Sequence, residues 1–441
     1  MPISSDDIFS HDFKDRPFWW DRSPLDNPDP DPDPVPLPKD VDVLIIGSGY
    51  TGLCTALQTA RGGKSTLVID ANEPGWGCSS RNGGQISTGI KPDFDVLAKN
   101  HGSHTAFEAH REGLRAIASI GDFIQEEGID CDYRVCGRFY GAHSPKHFEK
   151  LKRKINAQQK GLEIDAQLVQ RKDQHEEISS DFYHGGVIQT QFASVDPAAY
   201  HQGVLGKVRE AGARVEGFTE ALAVSKRSKG AGFDVQTSRG LVRAGDVVVA
   251  TNGYTSRLTP WLNRRVFSIG SYMIATEDLG GDVARSLIRR DRMVVDSRRI
   301  VVYFRLSPDG RRIIFGGRVS LNETNPRVSA PRLHRHMTAI FPQLRTAKIS
   351  HSWMGFVGWT FQHMPHIGRH DGIWYAMGYC GSGVALSTYF GTRLGQQIMG
   401  QEAGRTVLSD LPFRTRPGYY GNPWFLSASV GWYGFLDRLG I

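Results

Sequence analysis

The first regular pattern along the chain is an apolar strand that runs directly into a glycine turn. Residues 41–46 read Val-Asp-Val-Leu-Ile-Ile, and the turn that follows reads Gly-Ser-Gly-Tyr-Thr-Gly. A helical stretch over Leu53–Ala60 and a second strand over Ser65–Ile69 come next. A strand, a turn, a helix and another strand together form the unit that begins a parallel sheet.

The turn has the spacing G-x-G-x-x-G, formed by Gly47, Gly49 and Gly52. Gly47 permits the tight turn, Gly49 lets the backbone approach a pyrophosphate, and Gly52 lets the helix pack against the strand. Asp70 ends the second strand, at the position where an acid binds a ribose hydroxyl in such units. The pattern therefore predicts a dinucleotide site.

Further along, helical and strand patterns alternate. Helices are predicted over 105–127, 145–162, 200–211 and 386–399, and strands over 138–141, 221–226, 233–238, 244–250 and 373–377. Between 266 and 318 apolar and polar residues alternate, which predicts an antiparallel sheet with one covered face. We therefore expect an α/β (α+β) fold with a parallel and an antiparallel sheet.

Both ends of the chain have unusual compositions. Residues 27–38 alternate proline with other residues, three of them aspartates, and predict a stiff, extended arm. Phe18, Trp19 and Trp20 precede it, and we expect these rings to dock on the body of the protein or on another subunit. The aromatic segment 422–441 favours packing on the body near those rings or on another subunit, with peripheral membrane contact as the alternative.

Charge and composition narrow the class of protein. The chain has 441 residues, enough for several domains, and a formal net charge of +7. Its densest basic run, 150–160, is typical of a solvated helix face, and no nucleic-acid-binding signature accompanies it. The charge gives a slight preference for substrates that carry a carboxylate.

The five cysteines are an odd number, without a C-x-x-C motif or a signal peptide, which favours free thiols in a reducing compartment. No run approaches the ~18 apolar residues that cross a bilayer, so we expect a soluble, cytoplasmic protein without a transmembrane segment. His351, His363, His366 and His370 match no zinc-ligand spacing, and no metal site is expected.

Two further glycine-rich stretches are WGCSSRNGGQ at 76–85 and GYCGSGVAL at 378–386. With GSGYTG at 47–52, VDP at 195–197, VVVATNGYT at 247–255 and YFRLSPDGRRIIFGGR at 303–318, they resemble the D-amino-acid oxidase-like flavoproteins. This superfamily includes the glycine and sarcosine oxidases. Within it the chain most resembles the gamma-glutamylputrescine oxidase-like branch, over residues 15–400.

The resemblance implies a Rossmann-like FAD-binding domain of the glutathione-reductase type with an interleaved antiparallel-sheet substrate domain. The FAD-binding domain would comprise 41–92, 186–262 and 351–405, and the substrate domain 93–185 and 263–350. An N-terminal arm, 1–40, and a C-terminal tail, 406–441, would flank them.

The same resemblance implies which residues hold FAD. Those expected at the ADP portion are Gly47, Ser48, Gly49, Tyr50, Thr51, Gly52, Asp70, Ala71, Ala221, Thr251, Asn252 and Gly253. Those expected along the pyrophosphate, ribityl chain and flavin ring are Trp76, Gly77, Ser79, Ser80, Arg81, Asn82, Gly83, Gly84, Gln85, Gly358, Gly381, Ser382, Gly383, Val384 and Ala385.

The implied reaction is oxidation of a C–N bond in a primary or secondary amine, such as a gamma-glutamylated amine, a polyamine or an amino-acid-like substrate. Hydride would pass to flavin N5, the imine would hydrolyse, and O2 would reoxidise the flavin to give H2O2. Tyr272, Arg305, Trp359 and Thr360 are expected at the substrate, together with Tyr303. The alternative for the two tyrosines is sheet packing, and for Arg305 a structural role.

Two departures from the family pattern qualify the expectation. Relatives that bind flavin covalently use a cysteine in the segment matching 355–361, and this chain has none there. We therefore expect non-covalent FAD. Ser382 stands where the branch usually has histidine, so no role of that histidine is transferred.

Two other functions stay open. One is an FAD-dependent amine dehydrogenase that passes electrons to a quinone or a partner protein. The other is a flavoprotein whose nucleotide site is structural rather than catalytic.

Overall fold

The computed structural model describes residues 8–26, 29–87, 89–228, 230–318 and 325–440. The helices are α1 Trp19–Arg22, α2 Tyr50–Arg61, α3 Cys78–Arg81, α4 Phe94–His101, α5 Ser103–Glu126, α6 Pro145–Asn156, α7 Pro197–Glu210, α8 Pro260–Asn263, α9 Gly281–Leu287, α10 Pro326–Ile340, α11 Gly383–Ile398 and α12 Leu426–Arg438.

The strands are β1 Phe9–Lys14, β2 Asp40–Ile46, β3 Thr66–Ile69, β4 Gln85–Ile86, β5 Arg138–Gly141, β6 Ala166–Val169, β7 Gly186–Gln189, β8 Ala193–Ser194, β9 Arg214–Glu216, β10 Ala221–Lys226, β11 Phe233–Thr237, β12 Gly240–Val249, β13 Val266–Thr276, β14 Met293–Asp296, β15 Val302–Leu306, β16 Ile313–Gly317, β17 Ile349–Thr360, β18 His366–His370 and β19 Ile373–Met377.

The first sheet, which we call the dinucleotide sheet, has the order β10-β11-β12-β2-β3-β9, with β19 beside β12 and β18 beside β19. Its centre is parallel: β2 pairs with β3 and with β12 in this sense. Leu44 and Ile45 are both fully buried, one in each of two hydrophobic clusters. Continuous burial of neighbouring residues is expected for a strand that is covered on both faces.

The second sheet, which we call the substrate sheet, has the order β1-β17-β13-β16-β15-β14-β5-β7-β6. Each pair of adjacent strands from β17 to β14 in this order is antiparallel, so the prediction of an antiparallel sheet over 266–318 is confirmed. Helix α10 covers one face, where Leu333 and Met337 are fully buried in one cluster with Phe304 and Phe315. The opposite face is partly covered, because Met273 and Trp353 belong to a separate buried cluster.

Two strands pair across the predicted division of the chain. β7 lies in 186–262 and most of β17 lies in 351–405, the ranges expected to belong with the dinucleotide sheet, and both strands pair within the substrate sheet. Helix α6 ends at Asn156 rather than at 162. The side chain of Gln158 accepts a hydrogen bond from the Ile164 amide and donates to the Ile164 carbonyl, which closes a loop there.

The N-terminal arm docks on the body, as predicted for its aromatic rings. β1 pairs with β17, and Trp19 and Phe18 are buried against Met273 and Trp353. Residues 29–38 contain no helix or strand, and Arg214 holds their end by donating to the carbonyls of Val35 and Pro36 at 2.7 Å each. Positions 27 and 28 of the proline-rich stretch lie outside the described residues.

All five cysteines lie within the described residues, and each is a free thiol. Within the same residues, no helix is both long and apolar enough to span a membrane.

Candidate active site

A cavity of about 1110 Å³ lies between the two sheets. One part of it is lined by the turns that follow β2, β3 and β12; we call this the dinucleotide part. The other part is lined by the inner faces of β13, β15 and β17 and by the C-terminal helix α12. We call this the substrate part.

The turn after β2 brings backbone, not side chains, to the dinucleotide part. Gly47 has φ +109°, a conformation that favours glycine. A Cβ at Gly52 would lie 1.9 Å from the Gly47 carbonyl oxygen, so only glycine lets α2 begin this close to the strand. Gly49 is the N-cap of α2 and has no capping side chain, although the Tyr50 amide donates to the Ser79 hydroxyl at 3.1 Å. The start of α2 thus presents the positive end of its helix dipole to an anion.

Asp70 lies at the end of β3 and lines the cavity. Its Oδ2 accepts hydrogen bonds from the Ser48 amide at 2.8 Å and the Ser48 hydroxyl at 2.7 Å. Burial raises the pKa of Asp70, and these hydrogen bonds oppose that shift. The carboxylate is therefore held rigidly at the edge of the cavity.

Three indole N–H groups hold the glycine-rich loop that contains α3. Trp19 donates to the Asn82 carbonyl at 2.9 Å, Trp20 to the Ser80 hydroxyl at 2.8 Å, and Trp353 to the Arg81 carbonyl at 2.8 Å. The N-terminal arm supplies two of these three donors. The arm thus fixes the loop that runs along the cavity.

Arg81 lies between two aromatic rings of this region. Its guanidinium is 4.6 Å from the centroid of Trp20 and 4.6 Å from that of Trp76. Its Nε donates to the Trp76 carbonyl at 2.6 Å, and burial lowers its pKa. No carboxylate pairs with it among the described residues, so the cation is positioned for an anionic ligand.

A second helix begins at the cavity in the stretch 378–386. Gly378, Cys380 and Gly381 all have positive φ, and α11 follows with Ser382 as its N-cap and no side-chain capping bond. Helix α11 packs closely on α2: a Cβ at Gly391 would lie 2.6 Å from the Thr51 carbonyl oxygen. Two helix starts therefore face the same cavity.

Most of the predicted cofactor residues line this cavity: Gly47, Gly49, Tyr50, Thr51, Asp70, Ala71, Trp76, Gly77, Ser79, Arg81, Asn82, Gly83, Gln85, Ala221, Thr251, Asn252, Gly381, Ser382, Gly383 and Val384. The others lie behind this lining: Ser48, Gly52, Ser80, Gly84, Gly253, Gly358 and Ala385. Ser80, for example, is fully buried and donates to the Gly75 carbonyl.

Strand alternation corrects the placement of two predicted substrate residues. Gly355, Val357 and Trp359 line the cavity from β17, so Thr360 points to the opposite face, where it donates to the Met364 carbonyl at 2.9 Å. Ser271 and Met273 line it from β13. Tyr272, between them, is buried in the core of the substrate sheet.

Arg305 is also away from the cavity. It is 3% exposed and donates to the carbonyls of Gly84 at 3.0 Å, Val195 at 2.9 Å and Leu306 at 3.0 Å. The bonds to Gly84 and Val195 tie β15 to the loop after α3 and to the residue after β8, which is a structural role of the kind left open as the alternative. Tyr303 and Trp359 do line the cavity.

Two cations that the sequence did not single out line the substrate part. Lys91 lies with its ammonium 5.4 Å from the Trp359 ring centroid, and Arg138 stacks 4.6 Å over Phe192 while donating to the Gln189 amide oxygen at 2.6 Å. Neither pairs with a carboxylate among the described residues. Lys91 follows the RNGGQ motif closely, but no sequence signal marks Arg138 at the start of β5.

These two cations also act on each other. Burial and the charge of Arg138 lower the pKa of Lys91, opposed by Cys380, and burial lowers the pKa of Arg138 to about 10. Lys91 is an exposed residue and Arg138 is half-buried, and both line the cavity. Two positive charges in one cavity without a carboxylate partner among the described residues favour a bound anion.

A model of the family described as FAD dependent oxidoreductase matches residues 42–397. The chain belongs to this family. It is an enzyme of the oxidoreductase class, and the family implies FAD as its cofactor. The glycine cradle at Gly47 and Gly52, the two uncapped helix starts and the length of the cavity fit that group.

The chain is 32% identical to gamma-glutamylputrescine oxidoreductase of Escherichia coli (strain K12) over 412 residues, 90% of this chain and 93% of that protein. Two solved structures share its fold. Glycine oxidase from Geobacillus kaustophilus has a TM-score of 0.72 at 18% identity and covers 86% of this chain and 99% of its own. L-Proline dehydrogenase from P. horikoshii has a TM-score of 0.68 at 19% identity and covers 89% and 99%.

Proposed function

We propose that this enzyme oxidises a C–N bond in a primary or secondary amine to an imine, which water then hydrolyses, and that O2 restores the oxidised cofactor with release of H2O2. The observation that carries the proposal is a single cavity that joins a dinucleotide cradle to a compartment walled by Tyr303 and Trp359. FAD, when bound, supplies the acceptor for the hydride that leaves the substrate.

The side chains of the substrate part support this chemistry. Tyr303 and Trp359 offer flat apolar walls that hold an aliphatic amine and exclude water. Lys91 and Arg138 place positive charge in the same compartment, which disfavours an ammonium ion and so favours the neutral amine that reacts. The start of α11 points its amides into the cavity, where a preorganised positive end stabilises negative charge that develops during oxidation.

We propose that the substrate also carries a carboxylate, held by Lys91 and Arg138 rather than by Arg305. A gamma-glutamylated amine, an acidic polyamine conjugate or an amino-acid-like amine meets this requirement. The likeness to gamma-glutamylputrescine oxidoreductase of Escherichia coli supports the first of these.

A panel of amines tests the activity. Each amine is added without oxygen, and loss of the flavin absorption band at about 450 nm reports reduction. The panel contains gamma-glutamylated polyamines, N-methyl amino acids and short alkylamines. We expect bleaching with a carboxylate-bearing amine and H2O2 on admission of air. Failure of every amine to bleach the band would contradict the proposal and favour a structural nucleotide site.

The second candidate is an amine dehydrogenase that passes its electrons to a quinone or a partner protein. The exposed aromatic side chains of the C-terminal segment favour it, because the same segment lines the cavity. Bleaching without H2O2 under air, followed by recovery of the band with a soluble quinone, would identify the dehydrogenase.

We propose that FAD is bound non-covalently. Cys78 and Cys380 line the cavity, and burial raises the pKa of each thiol to about 11, so neither is a ready thiolate at neutral pH. Acid precipitation of the yellow protein is expected to leave the flavin in the supernatant. A coloured pellet would show a covalent link. Free thiols also support a reducing compartment such as the cytoplasm.

A further inference from the structure

The C-terminal segment 417–440 has two apolar faces. Its inner face packs on the body: the ring of Phe425 lies 5.4 Å from that of Phe267 and 5.9 Å from that of Phe361. Leu426 and Val430 continue this face along the cavity wall. This face of the segment therefore packs against β13 and against Phe361, which follows β17, rather than beside Trp19.

The outer face of α12 is apolar as well. Trp432, Phe435 and Leu439 are 58%, 50% and 54% exposed, and they follow the three- and four-residue spacing of one helix stripe. The rings of Trp432 and Phe435 stack at 5.9 Å. Trp424, just before the helix, is 69% exposed. No residue of α12 is buried, and among the described residues nothing covers this stripe.

Positive charge lies near the C-terminal end of the stripe. The Ser144 hydroxyl donates to the Gly440 carbonyl at 3.1 Å, so the basic helix α6 begins where α12 ends. Its exposed cations are Lys146, Lys150, Lys152, Arg153 and Lys154, against one exposed acid within the helix, Glu149. Lys154 pairs with Asp93 at 2.7 Å, which leaves the other four cations for a ligand. Asp437, the acid of α12, is engaged by the backbone amides of Arg299 at 2.8 Å and Ile300 at 2.9 Å.

We propose that the stripe Trp432–Phe435–Leu439, flanked by α6, docks the enzyme on an anionic lipid surface. Aromatic and aliphatic side chains beside lysines and arginines are the combination that lies at the boundary of anionic membranes. A second copy of the chain fits this face poorly, because a symmetric pair would bring the two basic α6 helices towards each other. Because the opposite face of α12 lines the cavity, docking places the substrate part beside the lipid.

Sedimentation with sucrose-loaded vesicles tests the proposal, using the purified holoenzyme. We expect it to pellet with vesicles of phosphatidylcholine and phosphatidylglycerol, and at least about tenfold less with phosphatidylcholine alone. Raising the ionic strength from about 0.1 M to about 0.5 M is expected to weaken the binding several-fold. The double variant Trp432→Ser, Phe435→Ser is expected to lose about tenfold or more in vesicle affinity.

Matched variants distinguish binding through this stripe from non-specific hydrophobic binding to vesicles. Leu222→Ser with Leu241→Ser removes two exposed apolar side chains from the dinucleotide sheet and is expected to leave vesicle binding unchanged. Lys150→Glu with Arg153→Glu, on α6, is expected to abolish the preference for anionic lipid. Thermal unfolding and flavin content are compared for each variant, because neither Trp432 nor Phe435 lines the cavity.

Three results would overturn the proposal. The first is no binding to anionic vesicles by the wild-type enzyme. The second is equal loss with the Leu222 and Leu241 control pair. The third is a wild-type dimer that the Trp432 and Phe435 double variant converts to a monomer, with no lipid binding by either form, which would assign the stripe to a subunit interface.

Discussion

The two parts of the cavity are built from different materials. In the dinucleotide part, the ligand surface is formed by backbone. It consists of glycines with positive φ, of glycines at which an added Cβ would come within about 3 Å of a carbonyl, and of the starts of α2 and α11. In the substrate part, it is side chains from separate segments, among them Lys91, Arg138, Tyr303 and Trp359. The first part therefore tolerates almost no substitution, whereas the second can change its ligand by changing side chains.

The two parts also differ in charge. The dinucleotide part combines helix starts with the acid Asp70, which suits phosphates beside ribose hydroxyls. The substrate part has Lys91 and Arg138 without carboxylate partners among the described residues. Its acid Asp296 is fully buried and paired with Arg298. This contrast suits a cofactor shared across the family in the first part and a variable, anionic substrate in the second.

The largest effect is expected from Gly52→Ala. The new Cβ would lie 1.9 Å from the Gly47 oxygen, and both groups are backbone, so neither can move aside cheaply. We expect a loss of about 3 kcal/mol or more in the free energy of unfolding and a protein purified without FAD. Thermal unfolding and the visible spectrum measure both.

Gly206→Ala is the matched control for this substitution. Gly206 lies inside helix α7, and an added Cβ there would meet nothing within 4 Å. Alanine should stabilise that helix by about 0.5–1 kcal/mol because glycine loses more conformational freedom on folding. A stable, yellow Gly52→Ala protein would show that the dinucleotide part does not depend on this close approach.

Arg138→Gln breaks the substrate part instead. A hydrogen bond to a charged group contributes about 1.5–3 kcal/mol, so KM for a carboxylate-bearing amine should rise about 10- to 100-fold. KM for an amine without a carboxylate should stay nearly unchanged, and FAD should remain bound. Steady-state kinetics with the two amines and a flavin titration make the measurement.

Arg305→Gln is the comparison for that variant, since Arg305 is a buried arginine outside the cavity. This variant should lower the free energy of unfolding, because three carbonyls lose their donor. It should not change the ratio of the KM values for the two amines. If Arg138→Gln raised KM equally for both amines, or released FAD, Arg138 would not be a carboxylate ligand.

Trp19→Phe tests whether the N-terminal arm supports the loop along the cavity that is expected to hold FAD. It removes the indole N–H that the half-buried Asn82 carbonyl accepts at 2.9 Å, and keeps most of the ring. Losing a hydrogen bond of this kind costs about 0.5–1.5 kcal/mol, so apoprotein should bind FAD up to about tenfold more weakly in a titration. Trp374→Phe, which loses an indole bond to Asp246 away from the cavity, should bind FAD normally.

The same contrast explains how far the sequence could predict the molecule. Glycine spacing marks backbone geometry directly, so the turn at 47–52 and the helix start near 383 were both predictable. Side-chain direction on a strand depends on parity, and Tyr272 and Thr360 point away from the cavity for that reason. Arg138 enters the site only through the pairing of β5 with β14, which no local pattern encodes.

The smallest expected effect concerns the ion cluster that anchors the N-terminal arm. Burial raises the pKa of Asp21, but hydrogen bonds from Lys14, Arg16 and His351 outweigh it and lower that pKa to about 2. A carboxyl whose pKa is lowered in the folded state stabilises the fold when the pH is above its usual pKa of 3.8. That stabilisation is lost as the pH falls towards 2. Asp21→Asn should therefore cost about 1 kcal/mol at neutral pH, since the cluster is partly solvated.

The pH dependence of this difference is the sharper readout. The gap in Tm between wild type and Asp21→Asn should be constant from pH 7 to about pH 5 and close progressively below about pH 4. Because Trp19 and Trp20 connect the N-terminal arm to the loop along the cavity, loosening the arm should also loosen the flavin. The temperature at which flavin is released should therefore differ between the two proteins by the same amount as Tm. A gap that persists at about pH 2 would assign the effect of this substitution to packing rather than to charge.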